Sequence, residues 1–165
     1  MATAQRTYLE MRDPSHLRPV RVADETIRVE RAAECHPALY RFLYGEVGRR
    51  YHWTDRLPWT DDEIRAHLSQ PAVSIWLMLV RGTPAGYFEL KQDDEGGVEI
   101  AYFGLFDEFI GRGLGAHLLT EAVATAWTFT QDRVWLHTCS FDHPAAVPNY
   151  VSRGFTPFRT EEYSV

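Results

Sequence analysis

Val98-Glu99-Ile100-Ala101-Tyr102-Phe103-Gly104-Leu105 is followed, after a short acidic link, by Ile110-Gly111-Arg112-Gly113-Leu114-Gly115-Ala116. The first segment reads as an extended strand. After Gly111 the pattern changes: Leu114, Leu118, Ala122 and Val123 repeat at helical spacing and predict a helix to about Trp127. Three glycines in five positions lie between strand and helix, where they turn the chain tightly and expose backbone N–H groups. The helix N-terminus adds its own unpaired donors and the positive end of its dipole. The expected guest is a phosphate or pyrophosphate, with Arg112 adding a charge-assisted bond. The alternative is a loop that serves only a turn and close packing. A Walker A loop would need GKS or GKT where Leu114-Gly115-Ala116 stands. A dinucleotide fingerprint would need a different third spacing and a place near the first strand.

Working outward, Val73–Val80 and Ala85–Leu90 are extended segments separated by Arg81-Gly82-Thr83-Pro84, and Asp93-Asp94-Glu95-Gly96-Gly97 leads into Val98–Leu105. Hairpins and antiparallel neighbours follow. Upstream, Thr7–Met11 and Thr26–Glu30 read as short strands, and a helix starts at Pro37 and runs to about Val47. Thr60 with Glu63 forms a capping box, and Trp59 staples onto Ile64, for a helix that stops before Pro71. Downstream come a strand at Val134–Thr138, a helix at Ala145–Ser152 and a last strand at Phe155–Thr160. Strand, long helix, strand requires at least one crossover onto a parallel neighbour. The fold class is therefore α/β: an open mixed, mostly antiparallel sheet flanked by helices. We expect a single domain over residues 1–165, with 1–24 an N-terminal extension packed on it.

The 98–115 segment resembles the central strand and pyrophosphate loop of the GCN5-related N-acetyltransferases. His143-Pro144-Ala145-Ala146-Val147-Pro148-Asn149-Tyr150-Val151-Ser152-Arg153-Gly154-Phe155 is similar to the same family's later helix and Gly-Phe segment. The two motifs, in family order, span roughly 98–158. The resemblance implies an N-acetyltransferase that takes acetyl-CoA as cosubstrate and an amine of a small molecule or peptide as acceptor. The alternative is a non-catalytic acyl-CoA binding or sensing module of the same fold. It also implies that the pantetheine arm runs beside Phe103 and Leu105, that the strand splays there, and that Ile110, Gly111, Arg112, Gly113, Gly115 and Ala116 hold the pyrophosphate. Two positions depart from the family pattern: Ile110 stands where Gln or Arg is usual, and His143 where many relatives have Asn.

Acyl transfer from a thioester to an amine requires an ammonium to lose a proton and a thiolate to gain one. The resemblance gives Tyr150 the acid role, and an unshifted phenol keeps its proton at neutral pH. The other reading is a core tyrosine whose hydroxyl is bonded within the protein. Glu99, a charge within a largely apolar strand, is the leading general base; the other reading is a carboxylate on a solvated sheet face. Glu89 is the reserve. His137 and His143 lie near the later motif without a pattern that assigns them.

By the same resemblance the acceptor pocket draws on Arg49-Arg50-Tyr51-His52-Trp53-Thr54-Asp55-Arg56-Leu57-Pro58-Trp59, whose rings would stack on an acceptor or cage a cation while Asp55 or an arginine anchors the opposite charge. Packed-down tryptophans with solvated arginines are the plainer alternative. A net charge of −6 argues against a general nucleic-acid partner. Seven histidines and two cysteines without HExxH or CxxC spacing predict no metal, and Asp142-His143 beside Cys139 is a weak match to a Cys-His-Asp group, with no base-oriented triad geometry behind it. The longest apolar stretch, Ile75–Val80, is too short for a membrane span. The first residues show no signal-peptide core, so a cytoplasmic location is expected. A homodimer is left open.

Overall fold

The computed structural model describes residues 2–165. In chain order its elements are β1 (Thr3–Met11), β2 (Ile27–Arg31), α1 (Pro37–Gly48), α2 (Asp61–Leu68), β3 (Val73–Val80), β4 (Thr83–Gln92), β5 (Val98–Leu105), α3 (Leu114–Ala126), β6 (Val134–Cys139), α4 (Ala146–Arg153) and β7 (Thr156–Ser164). The strands form one sheet in the order β2-β3-β4-β5-β6-β1-β7. Every pairing is antiparallel except β5 with β6, which the α3 crossover joins in parallel. This is the mixed, mostly antiparallel sheet that the pattern of elements predicts.

Helices cover the sheet from two sides, and the core divides accordingly. Phe88, Leu90 and Ile100 join Leu114, Leu118, Leu119 and Ala122 on the α3 side. Tyr87, Val73 and Ile75 join Tyr40, Leu43, Val47 and Ile64 on the α1–α2 side. β4 is buried on both faces from Ala85 to Leu90, which is why it reads as a nearly continuous apolar run rather than an alternating one. The capping box of α2 is present in both directions, Glu63 N–H to Thr60 and Thr60 N–H to Glu63. The β3–β4 hairpin is tighter than expected, with Arg81 (φ 52°) and Gly82 (φ 79°) alone forming a left-handed turn.

The N-terminal segment needs a correction. Thr3–Met11 is not an extension laid on the domain but a strand inside the sheet, hydrogen-bonded to β6 on one side and β7 on the other. Without it both neighbours would present unpaired backbone edges to each other. (Met1 lies outside the described residues.) The following passage does pack on the domain as a strap. Arg18 N–H donates to the Arg153 carbonyl, Val20 N–H to Thr120 Oγ1, and Val22 N–H to His117 Nδ1 at 2.9 Å. Gly154 closes α4 at φ 115°, where a Cβ would lie 2.1 Å from the His16 carbonyl oxygen; both the turn and the strap require glycine. The last strand runs on to Ser164, beyond Thr160, because β1 supplies its partner.

Candidate active site

The sheet opens where β5 and β6 part. Their pairing consists of Val98 with Val134 and Glu99 with Trp135, and ends there. Opposite β4 the register shifts between Glu89 and Leu90, which pair with Tyr102 and Ile100 and leave Ala101 as an extra residue. Such a bulge bends its strand and increases the local twist. From Ile100 to Leu105 the β6-facing edge of β5 therefore has no strand partner. The result is a cleft of about 1240 Å3 that Glu99, Phe103, Leu105, Ile110, Gly111, Gly115, Ala116 and Tyr150 all line.

At one end lies the glycine loop. Gly111 (φ 86°) and Gly113 (φ 77°) are both left-handed, with open space where a side chain would stand. Gly113 is also the N-cap of α3, so no side chain caps the first-turn N–H groups. Those donors and the dipole end at Gly115 and Ala116 face the cleft, an arrangement suited to an anion. The unpaired β5 edge beside them suits a chain that bonds to backbone as an added strand does. Two expected contributors are placed differently: neither Arg112 nor Gly113 forms part of the cleft wall. The Arg112 guanidinium sits 4.9 Å from the Phe109 ring centre. Gly113 acts on the loop through its backbone angle.

Also lining the cleft, Tyr150 on α4 packs its ring against Phe103 and Phe155, each centroid at 6.2 Å. Its hydroxyl lines the cleft and has no hydrogen-bond partner among the described residues. Burial, with Asp142 and Cys139 nearby, pushes the phenol well above its ordinary value, so it holds its proton throughout the neutral range. α4 is tied to α3 by Asn149 Nδ2 donating to the Gly115 carbonyl at 3.2 Å. His143 Nδ1 accepts from Ala145 N–H at 3.0 Å, which directs the chain into α4.

Glu99 of β5 also lines the cleft, its side chain 18% exposed. Burial raises its carboxyl above the usual carboxylate range, and Lys91, its cross-strand partner on β4, draws it part of the way back. His137 of β6 stands 3.7 Å away. Neither Lys91 nor His137 carries a motif; only the strand register brings them to Glu99. Arg6 and Tyr163 also reach the cleft because β1 lies between β6 and β7.

Glu89, the reserve base, cannot take that role. It is fully buried and off the cleft. Tyr40 donates its hydroxyl to Glu89 Oε1 at 2.7 Å, Arg56 Nη1 donates to both carboxylate oxygens at 2.7 and 2.8 Å, and His67 Nε2 lies 2.9 Å from Oε2. Burial opposes its charge, but His67 and Arg56 outweigh that and hold the carboxyl below its ordinary value. All its acceptor capacity is occupied by structural partners. The same contacts decide the aromatic loop between α1 and α2. The Arg56 guanidinium lies 4.5 Å from the Tyr102 ring centre, 4.9 Å from Trp59 and 5.9 Å from Tyr40. Trp53 packs on Tyr102 at 4.9 Å and Tyr44 at 5.6 Å. The cage exists, but the protein's own arginine fills it. Asp55 remains on the cleft wall beside Tyr44 and Trp53.

Among the described residues no group of three or more His, Cys, Asp or Glu is arranged to hold a metal ion, both cysteines are free, and no helix is long and apolar enough to cross a membrane. The fold is shared with a GCN5-related N-acetyltransferase from Kribbella flavida, at 19% identity and a TM-score of 0.68, over 94% of this chain and 55% of that one. A second, from Sphaerobacter thermophilus, aligns at 15% identity and 0.66 over 97% and 50%. The chain thus spans about half the length of these two structures. An aminoglycoside acetyltransferase from an uncultured soil metagenomic sample, solved with sisomicin, aligns at 13% identity and 0.63 over 80% and 90%. No curated protein matches the chain. The model of the acetyltransferase (GNAT) family matches residues 33–155, from before α1 through the Gly-Phe segment and so across every wall of the cleft but those that β1 and β7 supply. With that match over most of its length, the chain belongs to the GNAT family.

Proposed function

We propose that this protein is an acetyl-CoA-dependent N-acetyltransferase whose acceptor is an amine of a small molecule or peptide. The observation that carries the reading is that one cleft is lined both by Tyr150, with its hydroxyl unbonded, and by Glu99, with its carboxyl raised by burial. A module that only bound the ligand would need the glycine loop but neither of these.

Bound acetyl-CoA would supply the activated acyl thioester. Gly111, Gly115, Ala116 and the first turn of α3 would take the pyrophosphate, and the open β5 edge at Phe103 and Leu105 would take the pantetheine arm. Glu99 receives a proton from the acceptor ammonium; its raised pKa brings it closer to the working pH, where a base is more effective. Tyr150 gives its proton to the departing thiolate sulfur as the C–S bond breaks, and the second proton that the nitrogen loses on becoming an amide restores the phenol. The α1–α2 loop, fixed by Arg56, walls the acceptor side and presents Asp55 to a second positive charge. That placement supports acceptors carrying more than one amine, a class to which the sisomicin of the metagenomic relative's complex belongs.

The test is amine-dependent release of CoA thiol from acetyl-CoA with a panel of polyamines, aminoglycosides, amino acids and peptides. An N-acetylated product should form in equal amount. Tyr150→Phe should keep acetyl-CoA affinity and lose turnover by roughly 10² to 10⁴, the usual loss for a positioned general acid. Tight binding of CoA with no turnover across the panel supports the non-catalytic module instead.

A further inference from the structure

Glu99 has a neighbour that the reading above does not use. β5 and β6 are parallel, with Glu99 beside Trp135, so the side chain two residues on, His137, falls on the same face of the sheet. Its Nε2 is 3.7 Å from Glu99 Oε2, slightly long for a direct hydrogen bond and within reach of a small rotation. Neither ring nitrogen bonds to the protein among the described residues. The ring leans against Tyr8 of β1 at 5.5 Å, which fixes its position while leaving 36% of the side chain exposed, against 18% for Glu99. Exposure therefore rises from the carboxylate to the imidazole.

We propose that His137 carries the acceptor's proton from Glu99 out to water, as the second group of a two-group path. This rests on Glu99 being the base. The first transfer breaks an N–H bond of the acceptor ammonium and forms O–H on Glu99. The second breaks that O–H and forms N–H on His137 Nε2, and the imidazolium then releases the proton to solvent, leaving both groups as they began. A carboxylate enclosed by bound substrate would otherwise stay protonated after one transfer.

The surroundings favour this exchange. Facing Glu99 are Lys91 and Glu89 from β4, Asp93 from the β4–β5 turn and Arg56 from the interhelical loop. Facing His137 are Arg6 from β1, Asp142 after β6, Glu161 from β7 and Asp55. Burial raises Glu99, while burial, assisted by Arg6, lowers His137. The two values move toward each other, which narrows the difference that a proton crosses in passing between the groups.

The experiment measures kcat/KM against pH with the alkylamine of the panel that turns over best. His137→Gln keeps a donor beside Glu99 but cannot carry a proton. A fall of about tenfold or more is expected, with melting midpoint and acetyl-CoA affinity unchanged. The loss should vanish with a weakly basic amine that is already unprotonated. Should the glutamine variant fold poorly, His137→Ala serves within one preparation: added imidazoles should restore turnover in order of their basicity. Wild-type rates for His137→Gln at every pH, or an alanine variant indifferent to imidazole, overturn the path. If Glu99→Gln is inactive in that case, the base stands and only the path fails. If Glu99→Gln is as fast as wild type, both fail together.

Discussion

Replacing Glu89 by Gln removes one charge from the centre of the α1–α2 side while keeping shape. The carboxylate has no exposure and neutralises an Arg56 guanidinium whose side chain is only 14% exposed and faces three aromatic rings. The variant leaves that cation enclosed without a counter-charge, a change that costs about 3–5 kcal/mol. For a chain of this size each kcal/mol shifts Tm by about 2–4 °C, so a drop of roughly 6–20 °C is expected by calorimetry or circular dichroism. In the proposed function Arg56 also positions the acceptor wall, so acceptor KM should rise while acetyl-CoA affinity stays near wild type. Combining Glu89→Gln with Arg56→Met tests the pairing: the two effects should fall short of additive by about 1–3 kcal/mol. A variant with unchanged Tm whose turnover per folded molecule falls a hundredfold would refute the reasoning, because it would make Glu89 a chemical group rather than an anchor.

Asp55→Asn should raise KM for a polyamine acceptor about tenfold, which corresponds to the ~1.4 kcal/mol of one modest charge-assisted bond, and steady-state kinetics with a monoamine should show a smaller change. Burial lowers the pKa of His117, whose Nδ1 accepts from Val22 N–H in the strap. A depressed folded value means that its stabilising contribution is complete above the unfolded pKa of 6.5 and is lost as pH falls toward and through the folded one. Hydrogen exchange at Val22 should therefore accelerate, relative to the intrinsic rate, below about pH 6; protection unchanged down to pH 4 would contradict it.

What was legible in the sequence was local. The glycine loop, the helical spacing after it and the capping box at Thr60 each announce an element within a few residues, and each forms where expected. β1 was only half visible. Its register shifts between Tyr8 and Leu9, which breaks the alternation of Ala4, Leu9 and Met11 as buried positions, and its place between β6 and β7 depends on residues over a hundred positions away. The two glutamates show the same boundary. Glu89 and Glu99 look alike in their strands, and only Tyr40, Arg56 and His67, from α1, the loop and α2, separate a saturated buried carboxylate from one that faces the cleft. Likewise the aromatic loop signals a cage for a cation, but not that Arg56, within the same loop, occupies it.

The central claim is that the cleft between β5 and β6 holds an acyl-CoA through the backbone of the loop before α3. Calorimetric titration with acetyl-CoA, wild type against Gly113→Val, tests it most directly. At φ 77° a β-branched residue is strained even though space is open, so the variant must reshape the loop rather than displace a neighbour. The wild-type chain should bind one equivalent saturably, and the variant, with an unchanged circular dichroism spectrum, should lose that binding. No binding by the wild type, or equal affinity in a folded variant, would contradict the assignment.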